Sequence, residues 1–177
     1  MKYFQSLQRN EGFLIFHIRT KENPKLILEN LRKRYPHLAI QFVKPSAVQG
    51  DGHLIWAIRQ NWVAAKRRIL AANRQEVDLL MRLTQTDQIS EAIHFAGVSS
   101  RHRGAIVVVI GPKIDLENFE SWICERQDTS SDLPLRNSLS RYRPVEKERW
   151  QLLLLEKSAI LLATSRASPL HELDTGL

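Results

Sequence analysis

One cysteine, Cys124, occurs in 177 residues. That excludes an intrachain disulfide framework and any cysteine-rich metal site, and it suits a reducing compartment. The start of the chain shows no continuous apolar segment of the signal-peptide kind. No apolar run approaches the ~20 residues of a membrane-spanning helix; even residues 152–155 run straight into Glu156-Lys157. A soluble, cytoplasmic protein is expected. Catalytic signatures are equally scarce. Gly50-Asp51-Gly52 is not followed by the Lys-Ser/Thr pair of a phosphate-binding loop. His17, His37, His53, His94, His102 and His171 form no i,i+4 pair and no H-E-x-x-H run. Asp115, Glu117 and Glu120 fit a general acid–base pair, but also the acidic first turn of an exposed helix. Cys124 beside Trp122 reads as packing rather than as a nucleophile. No catalytic residue, metal or cofactor is expected, so the chain is read as a binding protein and not an enzyme.

Another shortage is local. No acid occurs between Asp51 and Glu76, while Arg59, Lys66, Arg67, Arg68 and Arg74 all do. Over the whole chain the formal net charge is +7, which favours an anionic partner; a basic surface that only maintains solubility is the alternative. The 43% hydrophobic and 25% charged content is that of an ordinary globular domain.

The pattern predicts strands at 3–8 and 13–18, a helix opened by Pro24 and ending before Pro36, and a strand at 38–43. A long helix follows over 53–72, then two short helices within 74–97. An unbroken apolar strand at 105–110 demands cover on both faces, and a helix over 116–125 turns Phe119, Trp122 and Ile123 inward. Residues 128–144 read as a surface loop, 145–164 as a closing helix, and 165–177 as a flexible tail. The order β-β-α-β-α-α-α-β-α-α implies one α+β or mixed α/β domain over 1–164: a small mixed sheet covered by several helices.

Two surfaces stand out. At ~100° per residue, helix 53–72 places Leu54, Ile58, Trp62, Ala65, Ile69 and Ala72 on a buried face. Trp56, Val63, Arg67 and Arg74 fall opposite, with Arg59 and Lys66 beside them. Cations neutralise phosphates, and an aromatic ring offers an unpaired base a stacking platform, which suits single-stranded RNA. Arg101 and Arg103 would extend this patch. The alternative is a solvated basic helix with Trp56 tucked under a loop. His53 fits a helix start or an RNA contact, and His94 a surface role. The second surface is the closing helix: nine of the twelve residues 152–163 are apolar, more than one buried stripe requires. Leu154, Ile160, Leu161 and Leu162 then form a protein interface, unless the 128–144 loop buries them.

The two short helices carry the most specific pattern, RQEVDLLMRLTQTDQISEAIHFAG over 74–97. Asn73 and Glu76 fit a capping box. Val77, Leu80 and Met81 form one apolar stripe, Leu79 and Leu83 a second, and Asp78 and Arg82 a polar i,i+4 pair. The second helix sets Ile89, Ala92, Ile93 and Ala96 on one face and stops at Gly97. Glu76, Leu79-Leu80, Leu83-Thr84, Gln88-Ile89, Glu91-Ala92 and the closing Gly97 resemble the smallest, kinase-associated subunit of the KEOPS complex, the family of the PRPK-binding protein (TPRKB-like). His53-Leu54 with Ala57 resembles that family's His-Leu-x-x-Ala helix start, and 153–162 its closing helix. The resemblance spans roughly residues 12–164. Gln85 departs from it, since a glycine is commoner there.

The resemblance implies a non-catalytic subunit of a complex that makes threonylcarbamoyladenosine beside the transfer-RNA anticodon, with the catalytic site in other subunits. It implies a small kinase-like partner, docked here through Leu154, Ile160, Leu161 and Leu162. It also implies contact with the CCA end of transfer RNA, placed here on Trp56, Arg59, Lys66, Arg67, Arg74, Arg101 and Arg103. A stand-alone RNA-binding module without a kinase partner is the competing expectation.

Overall fold

The apolar run Ile106-Val107-Val108-Val109-Ile110 forms the centre of strand β4 (Gly104–Pro112), and every residue from Ala105 to Ile110 is buried. The computed structural model describes residues 3–8 and 10–126. Strand β2 (Glu11–Arg19) and strand β3 (Ala39–Val43) pair antiparallel with β4 on its two sides, and β1 (Tyr3–Gln8) adds to the outer edge of β2. The sheet order is therefore β1-β2-β4-β3. Helix α1 (Pro24–Arg34) joins β2 to β3, which point the same way. Because β4 inserts between them, that parallel relation does not become a hydrogen-bonded ladder, and among the described residues every ladder is antiparallel.

Strand side chains alternate with period two, and here the alternation divides the core. Phe13, Ile15, Ile106, Val108, Ile110 and Val43 face one way. Leu14, Phe16, Ile18, Val107, Val109, Ile40 and Phe42 face the other. Register keeps like with like, pairing Phe13 with Ile110 and Phe16 with Val107. The second face is covered by α1 and by α5 (Lys113–Arg126), through Ile27, Leu28, Leu31, Leu116 and Phe119. The first is covered by α2 (Asp51–Arg67), α3 (Gln75–Thr84) and α4 (Ile89–Ala96). A 3-10 turn, Pro45–Ala47, leads into α2. This is the α+β domain expected, with the central strand covered on both faces. The expected loop 128–144, closing helix 145–164 and tail 165–177 lie outside the described residues. So do Leu154, Ile160, Leu161 and Leu162, and the side chains of Ile123 and Cys124.

Four local expectations change. Helix α2 ends at Arg67, not near residue 72, because Arg68 turns into the left-handed region at φ 56°. Its buried side chains are Leu54, Ala57, Ile58, Asn61 and Ala64, a stripe rotated from the one expected, with Trp62 and Ala65 only half-buried. Asn73 does not cap α3: Arg74 occupies the cap position without a side-chain bond, and Glu76 binds Arg74 at 3.2 Å instead. In α4, Ala92 and Ala96 are fully buried while Ile89 and Ile93 stay about half exposed. The alanines let the α4 backbone approach closely, and the larger isoleucines are left at its margin. Gly97 instead closes the helix: its N–H donates to the Ile93 carbonyl, and a Cβ there would lie 2.6 Å from that same oxygen.

Gln85 explains its own departure from the family pattern. It ends α3 in the left-handed region at φ 55°, where glycine has no Cβ penalty. Its Nε2 is also buried without a partner. Gln85→Gly is expected to stabilise the domain by about 0.5–1 kcal/mol, the relief of a left-handed residue less the added unfolded-state entropy. A urea midpoint equal to or below that of the parent protein would contradict this account.

Candidate partner-binding faces

The basic side of α2 is more selective than its composition implies. Glu11 reaches across from β2, accepting a hydrogen bond from Trp62 Nε1 at 2.6 Å and binding Lys66 Nζ at 2.5 Å. Burial raises the Glu11 pKa, but the bonds from Lys66 and Trp62 and the Lys66 charge outweigh it, holding the carboxyl below its ordinary value. Lys66 also lies 5.9 Å from the centre of the Trp62 ring. Its charge is already answered within the protein, and so is that of Arg74, which is paired with Glu76. Arg103 donates to the Lys21 carbonyl at 2.5 Å, while Arg101 is exposed. Arg59 and Arg67 are exposed, and no described carboxylate pairs with either. Trp56 is half-buried but belongs to neither core cluster, whereas Trp62 packs against one. Trp56, Val63 and Arg67 share one stripe of α2, extending about 16 Å along its axis.

Beneath this face lies a buried polar network that orients α2 against α3. Asp78 and Arg82, 0% and 1% exposed, form a bidentate pair at 2.5 and 3.1 Å. Asp78 also accepts from Asn61 Nδ2 and from the Ala71 backbone N–H, both at 2.7 Å. Asn61 in turn exchanges bonds with Gln75, donating to its carbonyl at 2.9 Å and accepting from its Nε2 at 3.0 Å. One carboxylate thus ties α2, the 68–74 turn and the start of α3 together.

At the other end of α2, His53 has a structural position. Its Nδ1 accepts from the Gln49 N–H at 3.3 Å, while Nε2 is buried without a protein partner. Burial pushes its pKa down to about 4. His17 on β2 is also lowered by burial, partly countered by Asp51. As pH falls, the unfolded chain therefore binds protons before the folded one does. This contribution to stability is complete above the ordinary histidine value and is lost as pH falls toward 4. His53 alone is expected to remove about 3 kcal/mol by pH ~4. Urea unfolding of wild-type and His53→Gln protein across this range checks it; parallel profiles would refute the assignment.

The other exposed feature is apolar. Helix α4 presents Ile89 and Ile93, at 45% and 48% exposure, on one flank and Phe95, at 49%, on the other. Neighbouring His94 packs edge-on against Phe95 at 5.3 Å. Lys44 holds the helix end, its backbone N–H donating to the Ala96 carbonyl at 2.8 Å and its Nζ to that of His94. The sequence had put Ile89 and Ile93 on the face shared with the buried alanines, so this patch was missed. Among the described residues, no group of three or more His, Cys, Asp and Glu side chains is arranged to hold a metal, and no helix is long and apolar enough to cross a membrane. Asp115 and Glu117 sit in the first turns of α5, Glu117 being 4.0 Å from Lys113.

A family model described as kinase binding protein CGI-121 matches residues 19–145, well over half of the chain. The matched stretch includes α2, α3 and α4 and stops short of residues 152–163. No curated protein matches the chain.

Proposed function

We propose, from the premise that the chain belongs to the CGI-121 family of kinase-binding proteins, that it is a non-catalytic subunit of a KEOPS-type assembly. It would hold a small kinase-like subunit and help recruit transfer RNA for threonylcarbamoyladenosine synthesis. The observation that carries this reading is the family match itself. It favours a kinase-bound subunit over a stand-alone RNA-binding module. Two apolar sets are available for the kinase: the exposed α4 patch and, outside the described residues, Leu154, Ile160, Leu161 and Leu162.

The RNA part rests on α2. Arg59 and Arg67 supply cations without a described partner beside Trp56, so phosphate neutralisation and base stacking are available on one helix face. Arg101 would add to this charge. Lys66, Arg74 and Arg103 contribute less, because protein groups already bind them. Recruitment of the CCA end would bring an unpaired tail to Trp56, where stacking contributes on the order of 1–3 kcal/mol per base.

Affinity purification from the native host tests the class of function: a small kinase-like protein should be recovered, and its absence would favour the stand-alone module. The RNA part is tested by dissociation constants for transfer RNA with and without CCA. Arg67→Glu should weaken both RNAs and flatten the salt dependence. Trp56→Ala should weaken chiefly the RNA that carries the tail. Equal binding of intact and truncated RNA by the wild type would reject tail recognition.

A further inference from the structure

On the opposite face of the sheet from α2, an open cavity of about 670 Å³ lies between α1 and α5. It is lined by Glu22, Ile27, Asn30, Leu31, Lys33, Arg34 and Trp122. The size falls within the roughly 300–1,000 Å³ of small-molecule sites. We propose that this cavity binds a nucleoside phosphate, with the nucleoside against the Trp122 and Arg34 side and the phosphate on Lys33 and Arg34.

The lining separates into parts that match such a ligand. Buried Ile27 and Leu31 provide an apolar floor, and Trp122 an aromatic wall. The Arg34 guanidinium lies 5.4 Å from the centre of the Trp122 ring and 5.7 Å from that of Tyr35. Tyr35 is itself braced edge-on by Phe119 at 5.2 Å. A guanidinium packed on two rings loses little further freedom on binding, and its plane and fork suit a base and a phosphate. Arg34 and Lys33 are exposed, and no described carboxylate pairs with either. Arg32, by contrast, turns away to the Ile40 carbonyl and the Gln41 side chain. Asn30 offers both a donor and an acceptor to a base edge. Glu22 stands just before α1, its backbone N–H bound to Thr20 Oγ1 at 3.0 Å, and its carboxylate can accept from ribose hydroxyls.

The ligand could be a free mononucleotide or an unpaired nucleotide of an RNA, and the test separates these. Equilibrium dialysis of the full chain with labelled adenosine 5′-monophosphate should give saturable binding below about 1 mM. Adenosine and inorganic phosphate should each compete at least about tenfold more weakly, since each supplies part of the contact. Arg34→Gln, which removes the charge, should lower affinity at least about tenfold, and Trp122→Phe should lower it less, while Arg67→Glu should leave it unchanged. Full displacement by a single-stranded trinucleotide at lower concentration would assign the site to RNA; poor displacement would assign it to the free nucleotide. No binding at 1 mM, loss of binding in Arg67→Glu with retention in Arg34→Gln, or equal competition by phosphate alone would each overturn the proposal. Matching circular dichroism and urea midpoints for the variants exclude unfolding as the cause of any loss.

Discussion

Arg82→Met should cost the domain about 3–5 kcal/mol, the penalty for leaving one member of a buried ion pair uncompensated. Asp78 would then keep only the donors of Asn61 and the Ala71 backbone. Asp78→Leu should be at least as severe, because it strands the Arg82 guanidinium together with the buried Asn61 amide and the part-buried Ala71 N–H. Arg82 has no reserve: its Nη1 is already buried without a partner. Against a typical total stability of about 5–15 kcal/mol, either change is enough to populate unfolded protein. The double variant Asp78→Leu/Arg82→Met should lose much less than the sum of the two, since neither charge remains to be solvated. It should still fall below wild type, because Ala71 and Asn61 lose their acceptor. Urea unfolding of the four proteins measures this. Single variants within about 0.5 kcal/mol of wild type, the range of ordinary surface substitutions, would show that the pair is not the fastening described.

The same residues show how far the sequence could be read. Asp78 and Arg82 are visible as an i,i+4 pair, but the pattern cannot say whether such a pair faces water or closes a helix–helix seam. That depends on Asn61, seventeen residues earlier. The double cover of β4 was legible because a strand buried on both faces leaves an unbroken apolar run, here residues 105–110. The end of α2 was not. Apolar residues continue in helical rhythm through Ile69 and Ala72, while the turn is set by Arg68 adopting a left-handed conformation and by Asp78 capturing the Ala71 N–H. On the basic face, a count of charges along one helix misses Glu11, which arrives from the sheet and removes Lys66 from the free cations. Gln85 runs the other way: one departure from a family pattern located a strained cap.

Helix α4 leads to the second large effect. Ile93→Arg is expected to reduce affinity for the kinase-like partner by orders of magnitude while leaving the isolated domain folded. At 48% exposure Ile93 gives up little packing in the free protein, so the monomer should change by no more than about 0.5 kcal/mol. In a desolvated interface, an arginine without a partner costs several kcal/mol, and about 4 kcal/mol corresponds to roughly a thousandfold in affinity. Ile89, one turn earlier on the same side of α4, would extend the apolar centre that such interfaces require. Ile160→Arg supplies the contrast. If Ile93→Arg abolishes co-elution with the kinase and Ile160→Arg does not, the partner docks on α4. If only Ile160→Arg does so, and the variant keeps its circular dichroism, the closing segment holds the kinase and the exposed α4 residues serve another contact. Retention of the complex by both variants would reject both seats without touching family membership, because the partner would then rest on a surface that neither apolar set supplies.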